Sequence, residues 1–521
     1  MPLILLLTLI LGSVIYWIIH RSVPKAMPIP KWVLWLLLML PILVFTLWML
    51  IAQTLPPPLL IYGLMFACSM VLYSALAISS DRLKKSQKDE GKKDRSKQTI
   101  DQTPATAAVN KATAKKKKVA DKPITREEET LLERCFPWST YYLQKIDYLP
   151  QAMICKGKLK TSPGEAYQTV QQNIERSFGD RFLVLLQEGL NGKPFFALVP
   201  NPQAKNWEKN LPASITSAQI ARIKRINQAK LTRPGLAVFL ALATLLTTTF
   251  VGSVQVNGAQ TIAERLESEP TLLLAGLGYS LSLMAILGLH ETGHYLATRY
   301  HKVRATLPYF IPLPFFLGTL GAFIKMRSPM PNRRALFDIG ITGPLIGFIV
   351  SLPILIWGLA QSTLVPLGEE ASLFNVEALD PGRSTLLLLL SRLAIGSTLT
   401  AESAINLHPV AISGCLGLIV TALKLMPVGQ LDGGHVVHAM YGQRTATIVS
   451  HVARVLMVIL AYANQEFLIW ALLLLFIPAA EPALNDVSEL NGPRDLLGLL
   501  SLALLVVIIL PAPAALSRLL F

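Results

Sequence analysis

His290 and His294 lie four residues apart at the end of an apolar run, Leu272–Leu289, in a chain of 521 residues. On an α-helix this spacing puts both imidazoles on one face, where they can offer two nitrogens to one metal ion. Glu291 lies beside them, as a general base does when it deprotonates a metal-activated water. The pattern His290-Glu291-Thr292-Gly293-His294 is that of a helical zinc hydrolase site. The plainer alternative is a pair of unrelated histidines at a helix end near lipid headgroups, although ionisable groups at membrane depth are usually functional. Two imidazoles leave the coordination sphere incomplete, so a third ligand must come from another element.

The best candidate is Asp432, in the stretch Met426-Pro427-Val428-Gly429-Gln430-Leu431-Asp432-Gly433-Gly434-His435. Alone, Asp-Gly marks a turn. Paired with the histidines, it completes two imidazoles and one carboxylate, which leaves a fourth zinc position for water, as catalytic sites require. His408, His435 and His438 are alternative ligands, ranked lower because the carboxylate at this depth has no other evident partner. In this scheme zinc lowers the pKa of water from nearly 16 toward about 7 and polarises a carbonyl. Glu291 takes the water proton and returns it to a leaving amine.

The elements that must position these residues are membrane helices. With 52% hydrophobic and only 15% charged residues, the chain is a polytopic α-helical membrane protein. Runs near the length that crosses about 30 Å of hydrocarbon are Leu3–Ile19, Trp32–Leu55, Leu59–Ile78, Pro234–Val254, Leu272–Leu289, Ile339–Leu359, Leu407–Met426, Thr445–Ala463, Phe467–Ala480 and Leu496–Leu510, about ten spans. Leu386–Ile395 is short and carries Arg392, which suits a re-entrant or interfacial helix. The first run has no basic residue before it and no small-residue cleavage site after it, so it reads as an anchor; no transit-peptide pattern is seen.

Charge orients the spans. Arg21, Lys25 and Lys31 follow the first run, the loop Thr54–Pro58 is uncharged, and residues 80–230 begin with a very basic stretch. The positive-inside rule then puts the N-terminus outside and residues 80–230 in the cytoplasm. Continued alternation leaves the acidic segments Asn257–Pro270 and 361–383 outside. Arg299, Lys302, Arg304, Arg327, Arg333, Arg334 and Arg444 fall inside. The metal site is therefore expected toward the cytoplasmic face of a plasma or thylakoid membrane.

The segment Asp81–Lys122 holds 14 basic and 6 acidic residues, half of the chain's net +16. Such a run cannot bury a core and reads as a disordered tether drawn to anionic lipid. Nucleic-acid binding finds no aromatic interleaving to support it. From Arg126 to Pro212 a small α/β domain is expected, with a strand at Ala152–Leu159 and a helix at Gly164–Phe178. Strands at Arg181–Gln187 and Phe195–Val199 flank the Asn191-Gly192 turn. Recruitment or regulation of a substrate, or a folded spacer, are its candidate roles. Cys68, Cys135, Cys155 and Cys415 have no metal-ligand spacing; Cys135 and Cys155 read as buried apolar residues. The domains expected are three N-terminal spans (1–80), a basic linker (81–125), the α/β domain (126–230), a metal-bearing core (231–490) and a final span (491–521).

Pro308–Met326 is apolar but broken by Pro308, Pro312, Pro314, Gly318 and Gly321, so a re-entrant, β-like hairpin fits better than a helix. An exposed strand edge there could pair with an unwound substrate helix; a broken helix packed on its neighbours is the simpler alternative.

Over Pro270–Glu489 the sequence resembles the site-2 protease class of intramembrane zinc metalloproteases. Gly318-Thr319-Leu320-Gly321-Ala322, Ser328–Asn332 and Phe337–Pro344 resemble its plant and cyanobacterial branch, called ethylene-dependent gravitropism-deficient and yellow-green, or EGY-like. The resemblance implies Zn2+ as cofactor, single-span membrane proteins as substrates, and Gly318, Thr319, Leu320 and Gly321 as substrate-binding. It also gives that role to Lys424, which stands where the branch often has asparagine. The branch's Gly-Asn-Leu-Arg signature appears as Gly157-Lys158-Leu159-Lys160. The metal and base residues are intact, which implies an active enzyme performing regulated intramembrane proteolysis. A secondary transporter should show internal inverted repeats, and none is seen; a zinc transporter using the same ligands and a non-catalytic scaffold are the other rivals.

Overall fold

A computed structural model describes residues 124–149, 152–189, 192–201, 233–258, 268–313, 317–368, 375–463 and 467–520, with isolated positions elsewhere. The first three apolar runs and the basic stretch Asp81–Lys122 lie almost wholly outside the described residues.

The soluble unit begins at α1 (Arg126–Arg134), where Thr125 and Glu128 form a reciprocal capping box. It continues through β1 (Tyr141–Leu149), β2 (Ala152–Leu159), α2 (Pro163–Phe178), β3 (Phe182–Glu188) and β4 (Pro194–Pro200). The sheet order is β1-β2-β4-β3 with every pair antiparallel, so the mixture is of the α+β kind and not a parallel α/β layer. The cause is local, because the strands of each hairpin are joined by short turns that leave no room for a crossover helix. The predicted strands and helix are all present within a residue or two, whereas α1 and β1 were not anticipated. Leu132, Val170, Ile174, Tyr141 and Phe196 form its core. Tyr141 donates its hydroxyl to the Cys155 carbonyl at 2.9 Å and meets Phe196 edge-on at 4.9 Å, a ring pairing worth about 1 kcal/mol. Cys135 and Cys155 are buried there, as apolar residues are.

The remainder is a multi-pass helical membrane protein. Its elements are α3 (Pro234–Asn257), α4 (Leu277–Tyr300, entered through a 3-10 turn from Pro270), the hairpin β5 (Tyr309–Pro312) and β6 (Thr319–Phe323), and α5 (Arg333–Ala360). Then follow β7 (Thr363–Pro366), α6 (Thr385–Ile395), β8 (Ser403–Asn406), α7 (Pro409–Leu425), α8 (Asp432–Ala463), α9 (Leu468–Phe476), α10 (Gly492–Ile509) and α11 (Ala514–Leu520).

Among the described residues five helices are long and apolar enough to cross a membrane: Pro234–Asn257, Pro270–Tyr300, Arg333–Ala360, Asp432–Tyr462 and Gly492–Ile509. Two further runs expected as spans make shorter helices, 17 residues in α7 and 9 in α9. Proline sets both limits. Met426 and Ile477 each precede a proline and adopt extended backbone, which ends α7 and α9. α6, with 11 residues, is short as anticipated.

Arg333, counted above as a cytoplasmic surface charge, is buried and spends its charge on Asp486 at 3.4 Å. Asp338 clamps three helix ends. It accepts from His301 at 2.9 Å and from Arg494 at 2.7 and 2.8 Å, joining the C-terminal side of α4 and the start of α10 to α5.

Candidate active site

α4 presents His290 and His294 one turn apart, as the four-residue spacing requires, and both are buried. Asp432 opens α8 immediately after the tight loop that Pro427 starts. That loop is held by hydrogen bonds from Gly429 N–H to Ser450 Oγ at 3.1 Å and from Gln430 N–H to the Pro478 carbonyl at 3.1 Å. The Asp-Gly dipeptide is thus the first turn of α8 and not a loop turn, and it carries the carboxylate beside the histidines.

The three side chains converge. His290 Nε2 and His294 Nε2 are 3.2 Å apart, and Asp432 Oδ2 stands 3.2 Å from His294 Nε2 and 3.8 Å from His290 Nε2. Donors about 2.0–2.1 Å from a tetrahedral zinc lie roughly 3.3 Å from one another, so the group has the dimensions such an ion needs. Two further observations support the fit. Asp432 Oδ2 is buried with no hydrogen-bond partner, and a buried carboxylate oxygen left in that state is costly unless a cation satisfies it. His294 Nδ1 meets the Ile339 carbonyl at 2.7 Å; a carbonyl can only accept, so Nδ1 carries the proton and the Nε2 lone pair is left to point at its partners.

The facing helix α5 makes room for the rings. A Cβ on Gly343 would collide with the His294 imidazole, and one on Gly347 would lie 2.7 Å from His290 Nδ1. Ile339, Gly343 and Gly347 repeat every four residues, the spacing of the histidines themselves, so one face of α5 accommodates one face of α4. This spacing was a signal available in the sequence, beginning inside Phe337–Pro344 and ending just past it at Gly347.

Glu291 is buried beside the cluster, and its carboxyl meets the backbone N–H of Ile324, just past β6. Lys424, near the end of α7, puts Nζ 3.7 Å from Glu291 Oε1 and 3.7 Å from Asp432 Oδ2. The alternative ligands stand apart from the cluster: His408 caps α7 by accepting from Val410 N–H, and His438 pairs with Asp486. His435 is half-buried with its Cβ against Gly340. Among the described residues, His290, His294 and Asp432 are the group able to hold a metal ion.

The hairpin β5–β6 pairs Tyr309 with Phe323 and Phe310 with Ala322, with an irregularity before Pro312 and Thr319. Gly318 and Thr319 hold it in place: the Gly318 carbonyl accepts from Thr247 Oγ1 at 2.7 Å, and the Thr319 hydroxyl donates to the Ile311 carbonyl at 2.9 Å. Leu320 is 60% exposed and Gly321 has open space at its Cα, so these two form the accessible part of the strand.

Residues 278–463 match peptidase family M50, and residues 130–206 match the EGY3 middle domain. The chain is 26% identical over 395 residues to the probable zinc metalloprotease EGY2, chloroplastic, of Arabidopsis thaliana, covering 74% of this chain and 65% of the relative. It is 33% identical over 239 residues to the probable zinc metalloprotease EGY1, chloroplastic, of the same plant, covering 46% and 43%. It is 27% identical over 221 residues to the probable zinc metallopeptidase EGY3, chloroplastic, also of Arabidopsis thaliana, covering 40% and 38%. The chain thus spans less than two thirds of the length of each of these relatives. No solved structure matches it. Over residues 278–463 the chain is thus similar to peptidase family M50, and over part of its length it is similar to the EGY zinc metalloproteases.

Proposed function

We propose that this chain is an intramembrane zinc metalloprotease that hydrolyses peptide bonds within or beside the transmembrane helices of single-span membrane proteins. The observation that carries the proposal is the convergence of His290 Nε2, His294 Nε2 and Asp432 Oδ2 next to a buried glutamate at the end of an apolar helix. Those three residues would hold the metal. When bound, zinc supplies a nucleophile at neutral pH and polarises the scissile carbonyl.

The chain's own residues do the rest. Ile339 fixes the tautomer and plane of His294 through its carbonyl, and Gly343 and Gly347 let both rings lie against α5. Glu291 accepts the proton of the attacking water on its carboxylate and delivers it to the departing amine. A helical substrate hides its peptide bonds in its own hydrogen bonds and must be unwound first. The outer edge of β6 at Leu320 and Gly321 offers backbone groups to which an extended segment can add as a strand, with Gly318 and Thr319 keeping that edge in place. The Lys424 ammonium stands near the nucleophile's position and can bind a substrate carbonyl.

Arg299, Lys302 and Arg304 follow the histidines at the end of α4, which supports a site toward the cytoplasmic side, and the hairpin is read as re-entrant. The test is Glu291→Gln in purified enzyme with a single-span substrate. Zinc should remain bound while cleavage falls at least 10²- to 10⁴-fold, the usual worth of a general base. Undiminished cleavage sinks the assignment, and zinc uptake into proteoliposomes without proteolysis would favour a transporter instead.

A further inference from the structure

Asp486 lies outside the metal site, in the loop between α9 and α10, yet it is only 3% exposed and ties three parts of the molecule together. Its backbone N–H donates to the Leu186 carbonyl at 2.9 Å, and Leu186 N–H donates to the Leu484 carbonyl at 2.7 Å, so the loop covers the β3 edge of the soluble sheet. On its other side the same loop pairs with the lead-in to α5, with Leu484 N–H donating to the Met330 carbonyl and Asn485 N–H to the Pro331 carbonyl. Gln187 Nε2 adds a bond to the Ala483 carbonyl at 2.7 Å.

The Asp486 carboxylate accepts from His438 Nε2 at 2.9 and 3.1 Å and from Arg333 Nε at 3.4 Å. His438 lies on α8, which Asp432 opens; Arg333 opens α5, which carries Ile339, Gly343 and Gly347. The Arg333 guanidinium also packs on Gly442, whose φ of 81° interrupts α8 there. The part of α8 that bears Asp432 is therefore a short helix between the Pro427 loop and the Gly442 kink. Asp486 and Arg333 grip the end of it away from the metal. A buried carboxylate sharing a histidine and an arginine admits few alternative arrangements, because each partner left alone becomes an unpaired buried polar group.

We propose that Asp486 is a positioning residue of the metal site, through which the soluble sheet is locked to the helices that orient Asp432 and His294. The proposal rests on those residues being metal ligands. The test uses the full chain loaded with Co2+ alone, whose visible absorption reports ligand geometry. Cobalt affinity is measured for the wild type, Asp486→Asn, His438→Asn and the double variant. Asn keeps the size of Asp, so the fold is retained.

The expected result is an altered cobalt spectrum and about tenfold weaker binding in each single variant, with the double variant no worse than either. A wild-type spectrum and affinity in Asp486→Asn, or effects that add in the double variant, overturn the proposal. If the wild type itself gives no cobalt spectrum, the ligand assignment has failed, and the positioning role falls with it.

Discussion

Gly343→Ala should weaken zinc binding, because the added methyl is directed into the His294 ring and not into open space. Inserting a methyl group into a packed interior costs about 1–3 kcal/mol. In the metal-free protein the strain can relax, since the ring can turn away by giving up its bond to Ile339 and its contacts with His290 and Asp432. Metal binding brings the ring back, so the strain is charged to the metal affinity. At about 1.4 kcal/mol per tenfold, the loss is roughly 5- to 150-fold. Gly288→Ala, on the histidine helix α4, is the control: its Cβ would lie 3.5 Å from the Phe310 ring, an ordinary contact, and zinc affinity should be unchanged. The assay is competition with a zinc chelator on detergent-purified protein, alongside thermal unfolding. If Gly343→Ala binds zinc as the wild type does, the close fit of α5 against the histidines is not what orders the site.

Other outcomes follow from the same geometry. Asp432→Ala should leave zinc substoichiometric by elemental analysis, and full occupancy would remove it as a ligand. Lys424→Ala should raise KM for a single-span substrate about tenfold, the worth of one polar contact of about 1.4 kcal/mol, with a smaller effect on kcat; an unchanged KM argues against substrate contact. Burial, followed by the neighbouring Cys135, pushes the Cys155 thiol up to about 12. At pH 8 its alkylation in the folded protein should be roughly a thousandfold slower than that of a free thiol, and rapid labelling by mass spectrometry would contradict its burial.

The group able to hold a metal was legible because two of its members obey helical periodicity and the third follows a proline that can only end a helix. The five long spans were legible from apolar length alone. The runs Leu407–Met426 and Phe467–Ala480 form the shorter helices α7 and α9, because a proline sets where each helix ends. β1 escaped notice because an edge strand with a register irregularity at Leu143 and Lys145 shows no clean alternation of buried and exposed residues. The Asp486 network could not be read at all, since its partners at Leu186, Arg333 and His438 share no local pattern. The role of Gly343 and Gly347 was present in the sequence as a four-residue repeat, but a glycine's function here is the absence of a side chain and shows only against its neighbour.

The bond from Gln187 to Ala483 joins residues 296 positions apart in the chain. At about 5–20 residues per second of synthesis, the soluble sheet is complete roughly 15–60 s before the strap that docks it exists. His290 and His294 are likewise made well before Asp432. The molecule therefore emerges from the ribosome as a folded sheet and an unfinished metal-binding group, which can be assembled only once α8 has been made. A nascent chain interrupted before α8 would carry the histidine pair and the glutamate without the carboxylate that completes the metal-binding group.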